Sequence, residues 1–212
     1  MLHTETVSTA WSLGLRNLII PGRGEILPVA GRPFDDGRNH LCKVALSSGF
    51  SHILMMDSDL IPPSNGIIRL LQHNLPLVSG LYCRRSPPHS VPVMIRNGIW
   101  VTNFVPNSLV EVDMVGSGFM LIRRDLLEAF KPQRPQAGKH WFDWRVDMQG
   151  MTDPTTGKPY PNCLSEDFTF CVACKEQLGV KTIVDTSIQC LHIGLAESSQ
   201  NRFVPAEVRT RT

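Results

Sequence analysis

Asp57-Ser58-Asp59 closes the apolar run His52-Ile53-Leu54-Met55-Met56. A D-x-D turn can aim two carboxylates at one hard cation, and Mg²⁺ or Mn²⁺ accepts such oxygens together with those of a diphosphate. An Asx turn that merely ends a strand uses the same residues. The preceding run favours the chemical reading, because the carboxyl end of a strand is where open α/β sheets bind ligands. Ser165-Glu166-Asp167 is a second acidic site. Serine caps helices and acids suit the first turn, yet a carboxylate held near a hydroxyl also serves as a general base. His192 stands in Leu191-His192-Ile193-Gly194, near the end of a late apolar segment. Imidazole is a common metal ligand, although most histidines bind none.

Three further features have two readings each. Gly116-Ser117-Gly118 suits close backbone approach or positive φ, or an ordinary turn. Arg38, and the pair Arg84-Arg85, can clasp a phosphate through the guanidinium fork or simply be solvated. Cys171 and Cys174 form a C-x-x-C whose nearby completions are Cys163, Cys190 and His192. Zinc sites usually show a second tight pair, so buried thiols are the favoured reading.

The elements around these residues follow from punctuation and period. Residues 4–15 read as a helix capped by Thr4, with Val7, Ala10, Trp11 and Leu15 on one face. Residues 18–20 and 26–29 are short strand candidates. Asp35 and Asp36 open a helix over residues 37–48, closed by Gly49. Residues 52–57 read as a fully buried strand, Ser64 caps a helix to Asn74, and residues 77–82 form another buried strand. This order predicts an α/β fold with a parallel sheet. Beyond Pro87, Pro88 and Pro92, residues 91–95, 99–105 and 109–113 read as antiparallel strands around Asn97-Gly98. A strand at 119–122, a helix at 123–130 and a long loop at 131–162 follow. Ser165 then caps a helix to Gln177 ended by Gly179, and strands are expected at 181–184 and 188–193.

The chain has 212 residues, 42% of them hydrophobic, and 21 basic against 19 acidic residues for a net charge of +2. That composition fits one globular domain and no global field for nucleic acid. No apolar run approaches the ~18 residues of a transmembrane helix. The start MLHTETVSTAW lacks the pattern of a signal peptide. The expectation is a cytoplasmic protein with reduced cysteines, with residues 1–194 as one domain and 195–212 as a poorly ordered tail.

Taken in order, GRNHLCKVAL, SHILMMDSD, VSGLYCRR, GSGFMLIRRDLL, LSEDFTFC and HIG resemble the GT-A glycosyltransferases. The resemblance is to the large inverting group of cellulose and chitin synthases and of bacterial and phage polysaccharide enzymes, and it spans roughly residues 37–193. It implies a Rossmann-like mixed sheet flanked by helices, a nucleotide-sugar donor (commonly a UDP-sugar), and Mn²⁺ or Mg²⁺. It implies that Asp57 lies near the nucleotide and shares metal binding with Asp59 and His192. Arg38 would contact nucleotide or diphosphate, and Gly116, Ser117 and Gly118 would line the sugar pocket. Asp167 would be the catalytic base with Glu166 beside it. Trp141 and Phe142 are candidates, by residue type, to stack on an acceptor. The family's usual first strand has no counterpart before the helix at 4–15. The acceptor (glycan, protein, lipid or modified nucleobase) is left open. A sugar nucleotidyltransferase, with Gly22-Arg23-Gly24 as a weak phosphate loop, and a non-catalytic binding module are the alternatives.

Overall fold

The structure, a computed structural model, describes residues 6–85, 91–133, 135–144, 164–193 and 202–203. It is an α/β fold built on a five-stranded mixed sheet of order β1-β8-β3-β9-β6. These strands are β1 (His52–Met56), β3 (Leu77–Leu81), β6 (Leu109–Val112), β8 (Phe119–Arg123) and β9 (Thr182–Gln189). Only β3 and β9 run parallel; β8 enters antiparallel between β1 and β3, and β6 pairs antiparallel with β9. The expectation of a parallel sheet is therefore corrected. The β3 run is buried at every position, as a central strand should be. The expected full burial of β1 is not met: it lies at the sheet edge, and Met55 alone is buried. An apolar run says that a strand packs well, not which position it takes in the sheet.

Alternation along the strands feeds two cores. Met120 and Ile122 of β8 join Leu77 and Leu81 on one face, with Cys42, Leu126, Leu127, Phe170, Cys171 and Cys174. Phe119 and Leu121 face the other way, with Val78, Ile67, Leu70, Tyr82 and Ile188. The first face is covered by α2 (Phe34–Ser47), α4 (Arg124–Ala129) and α5 (Glu166–Leu178), the second by α3 (Gly66–Gln72). Gly179 ends α5 in the left-handed conformation, φ 65°, as its sequence position predicts.

Several local expectations change. Helix α1 covers Thr9–Asn17, and its cap is Ser8, whose hydroxyl accepts the Trp11 N–H at 3.1 Å; Thr4 lies outside the described residues. Residues 18–20 and 26–29 form no strand. Ile19 donates one backbone bond to Ser64, and Ile26 and Leu27 are exposed. Helix α3 starts after Asn65 with no side-chain cap, so Ser64 does not play that part. The two strands expected after α5 are drawn differently: β9 runs unbroken to Gln189, and β10 (Leu191–Ile193) follows. The middle segment divides between sheets. β4 (Met94–Arg96) and β5 (Ile99–Trp100) form the Asn97-Gly98 hairpin, with both turn residues at positive φ, and β4 also pairs with β7 (Met114–Val115). β6 leaves that group for the main sheet. The third sheet joins β2 (Leu60–Ile61) to β10 and β11 (Arg202–Phe203). Part of the expected tail is thus a strand, paired with His192 and Ile193.

Candidate functional site

The site forms where β1 and β3 end and β8 begins. The turn after β1 carries Asp57 and Asp59. The Asp57 N–H donates to the Gly118 carbonyl at 2.9 Å, which ties this turn to the glycine loop. The Trp11 indole donates to the Asp57 carbonyl at 3.1 Å, so α1 lies against the same turn. β2 then pairs with β10 in the register His192 opposite Leu60, and the Ile193 N–H donates to the Asp59 carbonyl at 2.7 Å. That short ladder brings His192 beside Asp59 across 133 positions of sequence (192 less 59).

The pair has defined chemistry. His192 Nδ1 lies 2.7 Å from the Cys83 carbonyl. A carbonyl only accepts, so Nδ1 carries the hydrogen in that bond and Nε2 faces Asp59 Oδ2 at 3.3 Å. A bare Nε2 and a carboxylate oxygen repel one another unless a proton or a cation lies between them. Two ligands at about 2.1 Å from one ion, near a right angle, stand roughly 3 Å apart. A backbone carbonyl on the other ring nitrogen is also the usual support of a metal-bound imidazole. Asp59 and His192 therefore fit a divalent cation as a pair. Asp57 turns instead to Arg38, whose Nη2 donates to its Oδ1 at 3.3 Å. Among the described residues no three His, Cys, Asp or Glu side chains gather as a metal cluster, so the expected Asp57–Asp59–His192 triad is not assembled. Burial works to raise the Asp59 carboxyl, but a hydrogen bond from His192, made when its Nε2 carries a proton, and the Arg85 charge outweigh it and hold it below its ordinary value.

Arg38 is nearly buried and ion-pairs with both Asp57 and the buried Glu166. It thereby joins α2, the acid turn and the start of α5. Glu166 is committed to this pair. Asp167, one residue on, is half-buried. Its Oδ2 accepts the Ser117 N–H at 3.3 Å, and its Oδ1 accepts the Phe168 N–H at 2.8 Å and the Ser165 hydroxyl. Ser165 is the N-cap of α5 by position only; its side chain bonds Asp167 rather than capping the backbone.

Gly116, Ser117 and Gly118 are buried rather than lining an open pocket. Tyr82, which sequence reasoning passed over, explains Gly116 and, together with Leu60, Gly118. A Cβ on Gly116 would meet the Tyr82 hydroxyl at 2.0 Å, and one on Gly118 would meet Leu60 Cδ1 at 2.3 Å and Tyr82 Cζ at 3.0 Å. Close approach, not positive φ, is the reason for them. The Tyr82 hydroxyl accepts the Gly118 N–H at 3.1 Å, and its ring meets the His192 ring edge-on at 5.7 Å. Burial, then the charges of Asp57 and Asp167, push its phenol well above the ordinary value. Tyr82 stands just after the fully buried strand β3 and two residues before the arginine pair, a position that carries no local sign of the loop it supports.

The acceptor assignment is corrected. Trp141 donates its indole N–H to the Leu127 carbonyl at 2.9 Å, and Phe142 is wholly buried, stacked on Phe170 at 4.5 Å. Neither ring is available to a substrate. The half-buried Trp100 and Phe168 are the aromatic pair next to Asp167, with ring centroids 6.2 Å apart. Cys42, Cys83, Cys171, Cys174 and Cys190 are buried, the Cys171 thiol being pushed up to about 12 chiefly by burial; Cys163 lies outside the described residues.

No helix among the described residues is long and apolar enough to cross a membrane. No protein-family model matches the chain, and no curated protein matches it. Among solved structures, A197 from STIV matches with a TM-score of 0.52 and 16% identity, over 79% of this chain and 71% of that one. The likeness is one of fold, a mixed α/β sheet flanked by helices.

Proposed function

We propose that the chain is a glycosyltransferase of GT-A type that moves a sugar from a nucleotide-sugar, a UDP-sugar for preference, to a hydroxyl acceptor. The observation that carries the reading is the meeting of Asp59 with His192 at the sheet end where Asp57, Arg38 and Asp167 also converge. These groups come from segments far apart in sequence, and separate helix caps or strand ends would give no reason for them to meet. A divalent cation held by Asp59 and His192 would neutralise charge developing on a diphosphate leaving group.

The protein's own groups divide the remaining work. Asp167 takes the proton of the acceptor hydroxyl as its oxygen attacks the anomeric carbon, and the carbon–diphosphate bond breaks on the opposite side. Ser117 N–H, Phe168 N–H and the Ser165 hydroxyl hold that carboxylate in place. Arg38 and Glu166 position rather than react: their buried pair fixes the start of α5 against the acid turn. Displacement from the opposite side inverts the anomeric centre. Incubation with a panel of labelled nucleotide-sugars and Mn²⁺ tests the reading. Metal-dependent release of nucleoside diphosphate is expected. A folded protein that neither binds nor turns over any donor would overturn it.

A further inference from the structure

Arg85 Nη1 donates to Asp59 Oδ2 at 2.9 Å, the same oxygen that faces His192 Nε2 at 3.3 Å. The neighbouring Arg84 is engaged elsewhere, its guanidinium 5.4 Å from the centroid of the Trp100 ring. The tandem arginines therefore have different tasks. The Arg85 side chain is 44% exposed and that of Asp59 28%, so this contact can exchange without opening the core.

We propose that Arg85 is a displaceable cation: it pairs with Asp59 until a divalent cation takes that oxygen, and it then clasps the donor's diphosphate. The inference rests on the glycosyltransferase reading above and adds a residue and a binding order to it. The physical basis is competition. A guanidinium and a divalent ion cannot both stand at contact distance from one carboxylate oxygen without strong mutual repulsion. Displaced from Asp59, Arg85 is a planar fork on a short tether at the end of β3, beside the place where negative phosphate oxygens would meet the ion, and such forks bind phosphate in bidentate fashion. The consequence is thermodynamic coupling. Arg85 opposes the cation when the cation comes alone and favours it when a diphosphate comes too, so each ligand strengthens the other.

Mn²⁺ binding, followed by its paramagnetic resonance with and without UDP, tests this in the wild type, Arg85→Gln and Arg85→Lys. Circular dichroism checks that each is folded. Arg85→Gln should bind Mn²⁺ alone up to about five-fold more tightly, the scale of one half-exposed ion pair. The same variant should bind UDP about ten-fold more weakly at saturating Mn²⁺, the scale of a lost charge-assisted contact. Arg85→Lys should recover part of the UDP affinity. Unchanged or weaker Mn²⁺ binding by Arg85→Gln would sink the competition, and unchanged UDP affinity would sink the clasp. Either result leaves the glycosyltransferase reading standing when the wild type binds Mn²⁺ and UDP. A wild type that binds neither removes that reading, and the inference with it.

Discussion

Asp59 and His192 meet because a two-residue strand, β2, follows the acid turn at once and finds its partner in β10. Asp59→Asn keeps the side chain's shape and removes its charge. The variant should fold normally and lose metal-dependent donor binding together with transfer, read by calorimetry with Mn²⁺ and by turnover. Wild-type titrations would return Asp59 to the part of a turn residue. Asp167 is held by three donors, two of them backbone N–H groups, so its place does not depend on a flexible partner. Asp167→Asn should lower turnover by roughly 10²–10⁴-fold, as for a lost general base, with donor affinity little changed. The anomeric configuration of the wild-type product, read by NMR, is the sharper check, because a retained centre excludes direct base catalysis by Asp167.

The glycine loop before β8 is set by Tyr82, which follows β3, so two segments fix one another. Gly116→Ala would drive a methyl carbon to 2.0 Å from the Tyr82 hydroxyl, an overpacking that typically costs about 1–3 kcal/mol. Tyr82→Phe alone should cost ~1 kcal/mol through the unpaired Gly118 N–H. Combined with Gly116→Ala it should cost clearly less than the sum, because the clashing oxygen is gone. Strict additivity in urea denaturation would place the strain elsewhere. The same loop shows what the sequence could convey. Its glycines and their spacing were legible, and so were β3, the Asn97-Gly98 hairpin, α5 and its Gly179 stop, since each depends on local period or backbone freedom. Tyr82 was not, because an aromatic at a strand end gives no local sign of the loop it will touch 34 residues later (116 less 82). The burial of Trp141 and Phe142 was hidden for the same reason: Asn39 holds their segment by accepting the Trp141 N–H at 2.9 Å and donating to the Phe142 carbonyl at 2.7 Å. Sheet order was equally illegible, since β1 and β3 are alike as apolar runs and differ only in which neighbours reach them.

At the scale of the molecule, acidic groups hold elements to the sheet, and that sets a response to pH. Asp185 of β9 is the clearest tie. Its Oδ2 meets His73 Nε2 at 2.8 Å at the end of α3, and its Oδ1 accepts the Ser187 N–H at 2.9 Å and the Ser187 hydroxyl. Arg69 of α3 adds a bond to the Ser187 carbonyl at 3.2 Å. The cluster fastens α3 to the strand between β3 and β6 from the second face. Burial alone would raise the Asp185 carboxyl, but the bonds from Ser187 and His73 outweigh it and hold it below its ordinary value. Asp113 is depressed as well, since Lys175 and the Asn97 N–H outweigh its burial, and it ties the start of β7 to α5. The sign follows from linkage. A carboxyl with a folded value below its unfolded ~3.9 binds fewer protons folded than unfolded. Its stabilisation is complete above that unfolded value and is lost as pH falls through the folded one. Urea denaturation in metal-free buffer should therefore show an acid limb from these carboxyls, with stability falling below about pH 4. Asp185→Asn should be less stable at pH 7 by ~1–3 kcal/mol, the cost of weakening a buried hydrogen-bonded charge. Its acid limb should be shallower than that of the wild type, because one of the protons driving the fall is gone. An acid limb of unchanged slope in that variant would mean that Asp185 does not carry the linkage, and that the tie between α3 and β9 depends on Arg69 and Ser187 instead.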